Sequence, residues 1–390
     1  MVQGSKTRFI AIAVGQGDAF FFERNDTSAL IDGGRSRVGF PIQFRRVTGL
    51  DGVDILVCTH NDADHALGLL GFLESGLTAK EVWLPASWSD RLDDLLLHPS
   101  EFVSELILNI EEIEISRKIR LDDLGDYYSV HEQGIDYEQM NEVTMEDLEN
   151  ALEMASEVED PWNGVNLLSP PWYYYPLLRL YWRNYERFSL FIEALSAATR
   201  IRQISLAAFR SGALIRWFDF IGNREQDSSG GRAGFLIPVN AQEVTRIHRP
   251  RRSALMYLAL TKSNRESLVF MAPSTDDSPA ILFTADSDLS FNQPISWTPG
   301  MLITAPHHGS EKNKKAYDRF RRETCSNIKD VTWVRSDGRF KSRPGPSYLQ
   351  APGTRYCTTC RGSMLPKQNV RLVSQLNTWQ PISTRTCCCK

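Results

Sequence analysis

Seven side chains suited to holding metal ions fall in three short groups along this chain. The stretch VCTHNDADHALGLL, Val57 to Leu70, packs His60, Asp62, Asp64 and His65 into six positions. Far downstream, AILFTAD ends on Asp286, and GMLITAPHHGS carries His307 and His308. Imidazole and carboxylate together are what Zn²⁺, Mn²⁺ or Fe²⁺ require. A turn can aim residues i, i+2, i+4 and i+5 around two points in space, so one or two divalent ions, Zn or Mn, are expected here. Asp286, with two oxygens, is placed to bridge them. Two cations about 3.5–4 Å apart activate a water and polarise a phosphoryl or acyl oxygen. On this reading Asp64, His65 and Asp286 are the catalytic candidates. The metal-ligand candidates are those three with His60, Asp62, His307 and His308. Asp32, closing ALIDGG, is expected to orient a ligand histidine from behind.

Each group alone has a plainer explanation. Dense polar residues usually form a solvated turn, an acid at a strand end is usually a turn former, and a His-His pair is usually a surface pair. Their coincidence argues otherwise, because four of the chain's seven histidines fall at just two strand ends. The others, His98, His131 and His248, lie in a region of different texture and read as solvated or structural.

The elements that must position these groups are short apolar runs. VDILV, Val53 to Val57, reads as a buried strand, and ALGLLGFLESG as a helix stopping at Gly76. RFIAIAV, AFFFE and SALIDGG read as three strands with GQGD turning the chain, and KEVWLPA as another. That order predicts an α/β domain. From about residue 91 helical spacing takes over in SEFVSELILNIEEIE and TMEDLENALEMASEVED, with Thr144 as N-cap. Aromatics crowd SPPWYYYPLLRLYWRNYERF, either as core or interface residues or as stacking platforms for bases. FRSGALIRWFDFIG and GFLIPVNAQEV read as strands, and RIHRPRR, Arg246 to Arg252, as a basic loop. The strand-and-site pattern then resumes. The expected organisation is a core in two halves, 1–90 and 254–350, an acidic and aromatic insertion at 91–253, and a basic, cysteine-containing tail at 351–390.

The 390 residues are 42% hydrophobic and 24% charged, as in a soluble globular protein. No apolar run of about 18 residues suggests a membrane span, and the N-terminal residues do not resemble a signal peptide, so a cytoplasmic location is expected. The net charge of −4 hides an asymmetry: residues 101–160 hold 19 acidic and 3 basic side chains, and residues 301–390 hold 17 basic and 5 acidic. Such blocks are either solvated faces or, for the basic one, a surface for an anionic polymer. Cys357 and Cys360 in CTTC, with Cys387 and Cys388 of the CCC run, are a candidate structural zinc quartet; a tail of unlinked thiols is the alternative.

THNDADH resembles the H-x-H-x-D-H signature of the metallo-β-lactamase superfamily, with Asp62 at the second histidine. VGQGDAFFFE, ALIDGG, LFTAD and APHHGS, in that order, resemble the soluble hydrolase domain of ComEC-type DNA-uptake proteins. The resemblance covers roughly half the chain. It implies an α/β fold, the four-layer αββα sandwich, here with a large, mostly helical insertion and a dinuclear site at one rim. It implies His60, Asp62, Asp64, His65, Asp286 and one of His307 and His308 as ligands. Asp62 in place of histidine favours harder metals such as Mn²⁺. A third-motif histidine has no evident counterpart, and Gly345 in RPGPSY stands where a histidine would fall. The membrane channel of the uptake proteins is missing, so transport does not carry over.

The expected activity is therefore metal-dependent hydrolysis, foremost as a phosphodiesterase or nuclease. The alternatives are hydrolysis of a small ester, lactone or phosphoester, or a non-catalytic scaffold with a degenerate site. Nucleic acid is the expected partner, with a protein bound through the acidic insertion as another and no membrane.

Overall fold

The computed structural model describes residues 7–113, 119–131, 140–157, 185–324, 330–336, 338, 340, 342–360 and 365–389. Its strands are β1 (Arg8–Ala11), β2 (Phe20–Arg24), β3 (Thr27–Ile31), β4 (Gly52–Val57), β5 (Thr78–Pro85), β6 (Met140–Thr144), β7 (Leu214–Phe220), β8 (Ile237–Pro238) and β9 (Ala241–Val244). They continue with β10 (Arg246–Pro250), β11 (Phe270–Ala272), β12 (Ile281–Phe283), β13 (Leu302–Thr304), β14 (Thr332–Arg335), β15 (Thr354–Cys357), β16 (Val370–Gln375) and β17 (Thr378–Pro381).

Two sheets lie face to face. The first runs β17-β16-β1-β2-β3-β4-β5-β7-β9 and the second β15-β14-β13-β12-β11-β8. Between them sit Phe9, Phe20, Phe22, Trp83, Phe218, Phe270 and Phe283, all buried. Each such ring stabilises the pairing by about 1.5–3 kcal/mol through apolar burial. The outer face of the first sheet packs on helices through Phe44, Leu69, Leu106, Leu148 and Ile201. The outer face of the second packs through Trp333 on Tyr317 and Phe320 of the Lys314–Thr324 helix. Helix, sheet, sheet, helix is the four-layer order.

The structure shifts two expected boundaries. Residues 214–244, expected inside the insertion, supply β7 and β9 to the first sheet and β8 to the second. Residues 354–381, expected in a tail, supply β15 to the second sheet and β16 and β17 to the first, with β16 antiparallel to β1 from Arg8↔Val373 to Ala11↔Val370. The basic stretch Arg246–Pro250 is a strand, not a loop, paired with β6. Short apolar pieces separated by long sequence could not reveal these partners. The aromatic residues 169–184 lie outside the described residues.

The helical part of the insertion shares one continuous apolar core with the first sheet's helix layer, so it is packed onto the fold. Thr144 caps as expected: its hydroxyl accepts from the Asp147 amide at 3.1 Å, while the Asp147 carboxylate accepts from the Thr144 amide at 2.9 Å. Among the described residues no helix is long and apolar enough to cross a membrane.

Candidate metal centre

Parallel strands aim the candidate residues at one rim. β3, β4 and β5 run parallel in the first sheet, and β12, β13 and β14 in the second. Groups just past their C-terminal ends therefore gather where functional groups of open α/β sheets collect. Asp32 follows β3, the His60–His65 turn follows β4, Asp286 follows β12 and the histidine pair follows β13.

The His60–His65 turn runs into helix α1 (Ala63–Glu74), whose N-cap is Asp62. An aspartate there normally caps with its side chain. Asp62 makes no such bond, so its carboxylate is turned to other use. Close backbone approach sets the rest. Gly68 lies so near β3's exit that a Cβ would fall 1.9 Å from the Gly33 carbonyl oxygen. Gly17, at φ 93°, would place one 1.6 Å from the Asp64 carbonyl oxygen. Only glycine permits both contacts, which bring Asp32 and Asp18 up to α1.

The insertion grips the same turn. Arg200, on the Tyr185–Arg210 helix, donates to the Asn61 carbonyl at 2.9 Å and to Asn61 Oδ1 at 3.1 Å. Asn61 in turn donates through Nδ2 to the Ala197 carbonyl at 3.1 Å.

Four imidazoles then face one carboxylate. His65 Nε2 lies 3.2 Å and His308 Nε2 3.5 Å from Asp286 Oδ1. His60 Nε2 lies 4.0 Å and His307 Nε2 3.5 Å from Asp286 Oδ2. The opposite nitrogens settle the tautomers, because every Nδ1 meets an acceptor. His65 Nδ1 donates to Asp32 at 2.7 Å. His308 Nδ1 donates to Asp18 at 3.1 Å and to the Ser336 carbonyl at 3.0 Å. His307 Nδ1 donates to Asn313 Oδ1 at 3.0 Å, and that amide is oriented by its own donation to the Asp286 carbonyl. His60 Nδ1 donates to Thr59 Oγ1 at 3.0 Å, since the Thr59 hydroxyl proton is committed to Asp32.

Imidazole lone pairs converging on a carboxylate repel it unless cations stand between. Among the described residues, His60 Nε2 and Asp18 Oδ2 are buried without a hydrogen-bond partner, while His65 Nε2 and Asp286 Oδ1 have only each other. Their donor atoms form two close groups, Asp18 with His65, Asp286 and His308, and His60 with Asp62 and Asp286. Nitrogen and oxygen donors at this spacing, with each imidazole braced from behind, fit divalent metal ions.

The electrostatics agree. Burial pushes the His60 imidazole down to about 4, so it is neutral and open to a cation. Burial also opposes ionisation of Asp286, but His307, His65 and His308 outweigh it and hold that carboxyl well below the usual range. Burial likewise acts against charge on His65, yet Asp286 and Asp32 raise it well above its ordinary value. A proton on His65 takes the place that a cation would fill. Asp62 is lowered to about 2, burial being outweighed by Lys262 and His60.

Backbone strain is concentrated here as well. Asp32, Ala285, His307 and His308 have φ of 59°, 46°, 46° and 55°. Left-handed geometry costs a non-glycine residue roughly 1–2 kcal/mol. At the histidine pair it splays two consecutive rings, so that one faces each oxygen of Asp286.

All seven candidate ligands therefore reach one site, and Asp32 braces His65. Asp64 is the outermost, its Oδ2 3.8 Å from His308 Nε2 and 3.5 Å from Gln16 Nε2. His98 and His131 lie elsewhere, His131 on Tyr127. Gly345 brings no side chain, but Arg343, in the same stretch, donates to His307 Nε2 at 2.7 Å. Residues that the sequence reading missed are Asp18, Asn313, Arg343, Lys262 and Arg200. Only Asp18 carried a local signal, as an acid directly after a glycine pair. The thiol quartet is corrected at one position: Cys357, Cys360, Cys387 and Cys389 converge. Cys388 is exposed, because alternate residues of an extended segment point to opposite sides.

Residues 12–81 match the family model of the metallo-beta-lactamase superfamily, a span that includes the THNDADH turn and ends before Asp286 and the histidine pair. The αββα sandwich with its helical insertion is consistent with that superfamily's fold. No curated protein matches the chain. The match and the histidine-aspartate cluster together support a metal-dependent hydrolase.

Proposed function

We propose that the chain is a metal-dependent phosphodiesterase acting on nucleic acid. The observation that carries this reading is the charge around the site's mouth. A cavity of about 420 Å³ has Asp62, Asp64, Asp286 and His307 in its lining, with Arg120, Lys312 and Arg343 around them. Its five carboxylates, the three named with Asp122 and Glu311, exceed its three cations by two charges. Two divalent ions would turn that excess into +2, which attracts a phosphodiester and gives an uncharged ester no advantage.

Bound metal ions would supply water activation and neutralise charge building on phosphorus. His60, Asp62 and His307 would hold one ion, His65, His308 and Asp64 or Asp18 the other, with Asp286 shared. Gln16 steers the Asp64 carboxylate, which is placed to orient the attacking water and take its proton. Arg343, released from His307, would turn its guanidinium to the non-bridging phosphate oxygens, a geometry to which its planar donor fork is suited. Arg120 enters from the predominantly acidic 101–160 stretch of the insertion.

The cavity's size also suits a small phosphoester. Purified protein loaded with Mn²⁺ or Zn²⁺ should cleave single- or double-stranded DNA or RNA as well as an aryl phosphodiester. Polymer cleavage should weaken steeply with salt. Cleavage of the aryl ester with polymers untouched would transfer the assignment to a small substrate. Undiminished activity in Asp64→Ala and His65→Ala would remove the site from the reaction.

A further inference from the structure

We infer that Cys357, Cys360, Cys387 and Cys389 form a structural zinc site that fastens the C-terminal segment to the edge of the second sheet. Their sulfurs all lie within 4.8 Å of one another, and those of Cys357 and Cys360 are 2.9 Å apart. Around a tetrahedral zinc with bonds of about 2.3 Å, sulfurs sit about 3.8 Å apart, so small side-chain rotations complete the cage. Four thiols about one point are more than a disulfide uses, and soft sulfur donors select zinc over the harder ions.

The backbone presents the quartet. Cys357 ends β15, and Cys360 follows after two residues, the spacing of half a zinc ribbon. The second pair arrives on an extended segment antiparallel to β15: Thr386 bridges to Tyr356, and the Cys387 amide donates to the Arg355 carbonyl at 2.7 Å. Cys387 and Cys389 consequently share a face, while the Cys388 amide donates to Cys360 Sγ at 3.5 Å. Such donation suits a thiolate sulfur. Arg335, fully buried, is the register partner of Cys357 on β14, which puts a fixed cation beside a cluster whose net charge becomes −2 once zinc displaces four thiol protons.

The site ties together the two sheets' edges on one side, because β15 borders the second sheet and β17, which precedes the cysteine run, borders the first. It also backs the histidine rim. β14 lies between β15 and β13, and the Ser336 carbonyl just past β14 holds His308. The inference does not depend on the hydrolase reading.

The test uses the full chain, purified under reducing conditions and loaded with zinc, or with cobalt(II) as a spectroscopic substitute. The zinc absorption edge should show a sulfur shell at about 2.3 Å. The cobalt protein should show a thiolate-to-cobalt charge-transfer band. Cys357→Ser and Cys389→Ser should each lose that band and one zinc equivalent; Cys388→Ser should keep both, and a His60→Ala, His65→Ala double variant should keep the band and the sulfur shell while losing only zinc held at the histidine rim. Should the serine variants fail to fold, the wild-type sulfur shell alone decides. No sulfur shell in the wild type, two disulfides in its intact-mass spectrum, or loss of the band in Cys388→Ser would each overturn the assignment.

Discussion

The two oxygens of Asp286 look onto unlike surroundings. On the Oδ1 side, His65 and His308 are each braced by a carboxylate, Asp32 and Asp18. On the Oδ2 side, His60 and His307 are braced by neutral groups, Thr59 and Asn313. That second side also has cations close by: Lys262 lies 3.2 Å from Asp62, and Arg343 donates to His307. It opens on the cavity through Asp62 and His307. A carboxylate behind an imidazole makes it a better ligand, and a neighbouring cation repels a metal. A metal ion held on the Oδ1 side would therefore be bound more tightly than one held on the Oδ2 side.

The largest test removes what the halves share. Asp286→Ala should empty both halves and lower hydrolysis by about 10³-fold or more, read by elemental analysis and an aryl phosphodiester assay. Retention of either ion would make the halves independent. Next, His65→Ala should lose the tightly held ion, and His307→Ala only the weaker one, in calorimetric metal titrations; the reverse order would invert the contrast. Asp32→Asn keeps the shape but weakens the brace, and should cost about 10–100-fold in affinity at the tight half alone.

Acidity separates the halves more gently. In the metal-free protein His65 is raised well above its ordinary value and His60 is lowered to about 4. A metal entering the first half must displace the His65 proton, so affinity there should rise with pH by up to about tenfold per unit until the His65 pKa is passed. At the His60 half affinity should stay flat across neutral pH. Titrations in buffers of different ionisation enthalpy count the proton released. Smallest of all, Lys262→Met should tighten the second half by about tenfold or less. It should also lower Tm, since Lys262 pairs with Glu193 as well as Asp62.

The residues of the histidine-aspartate cluster were legible because they sit in short motifs at strand ends, where residue type and spacing both speak. The groups behind them were not. Asp18 braces His308 across 290 residues, and Arg343, Asn313, Lys262 and Arg200 meet the site only through folding. An arginine on a helical stretch gives no sign that it will hold the turn bearing Asn61. The order of strands and helices gave an α/β domain, and the αββα sandwich followed from the resemblance alone. The membership of β15, β16 and β17 did not, since a basic, cysteine-rich ending looks like a tail until its pairing partners are known. Within that ending, three consecutive cysteines are indistinguishable by composition; the extended backbone chooses Cys387 and Cys389.

The pairing of β1 with β16 has a consequence for how this protein is made. Some 360 residues separate the two strands, so the first sheet cannot close while the ribosome is still producing what lies between. At about 5–20 residues per second, β1 waits roughly 20–70 s with one flank bare. Over that interval the nascent chain exposes an open strand edge to whatever else is being synthesised nearby.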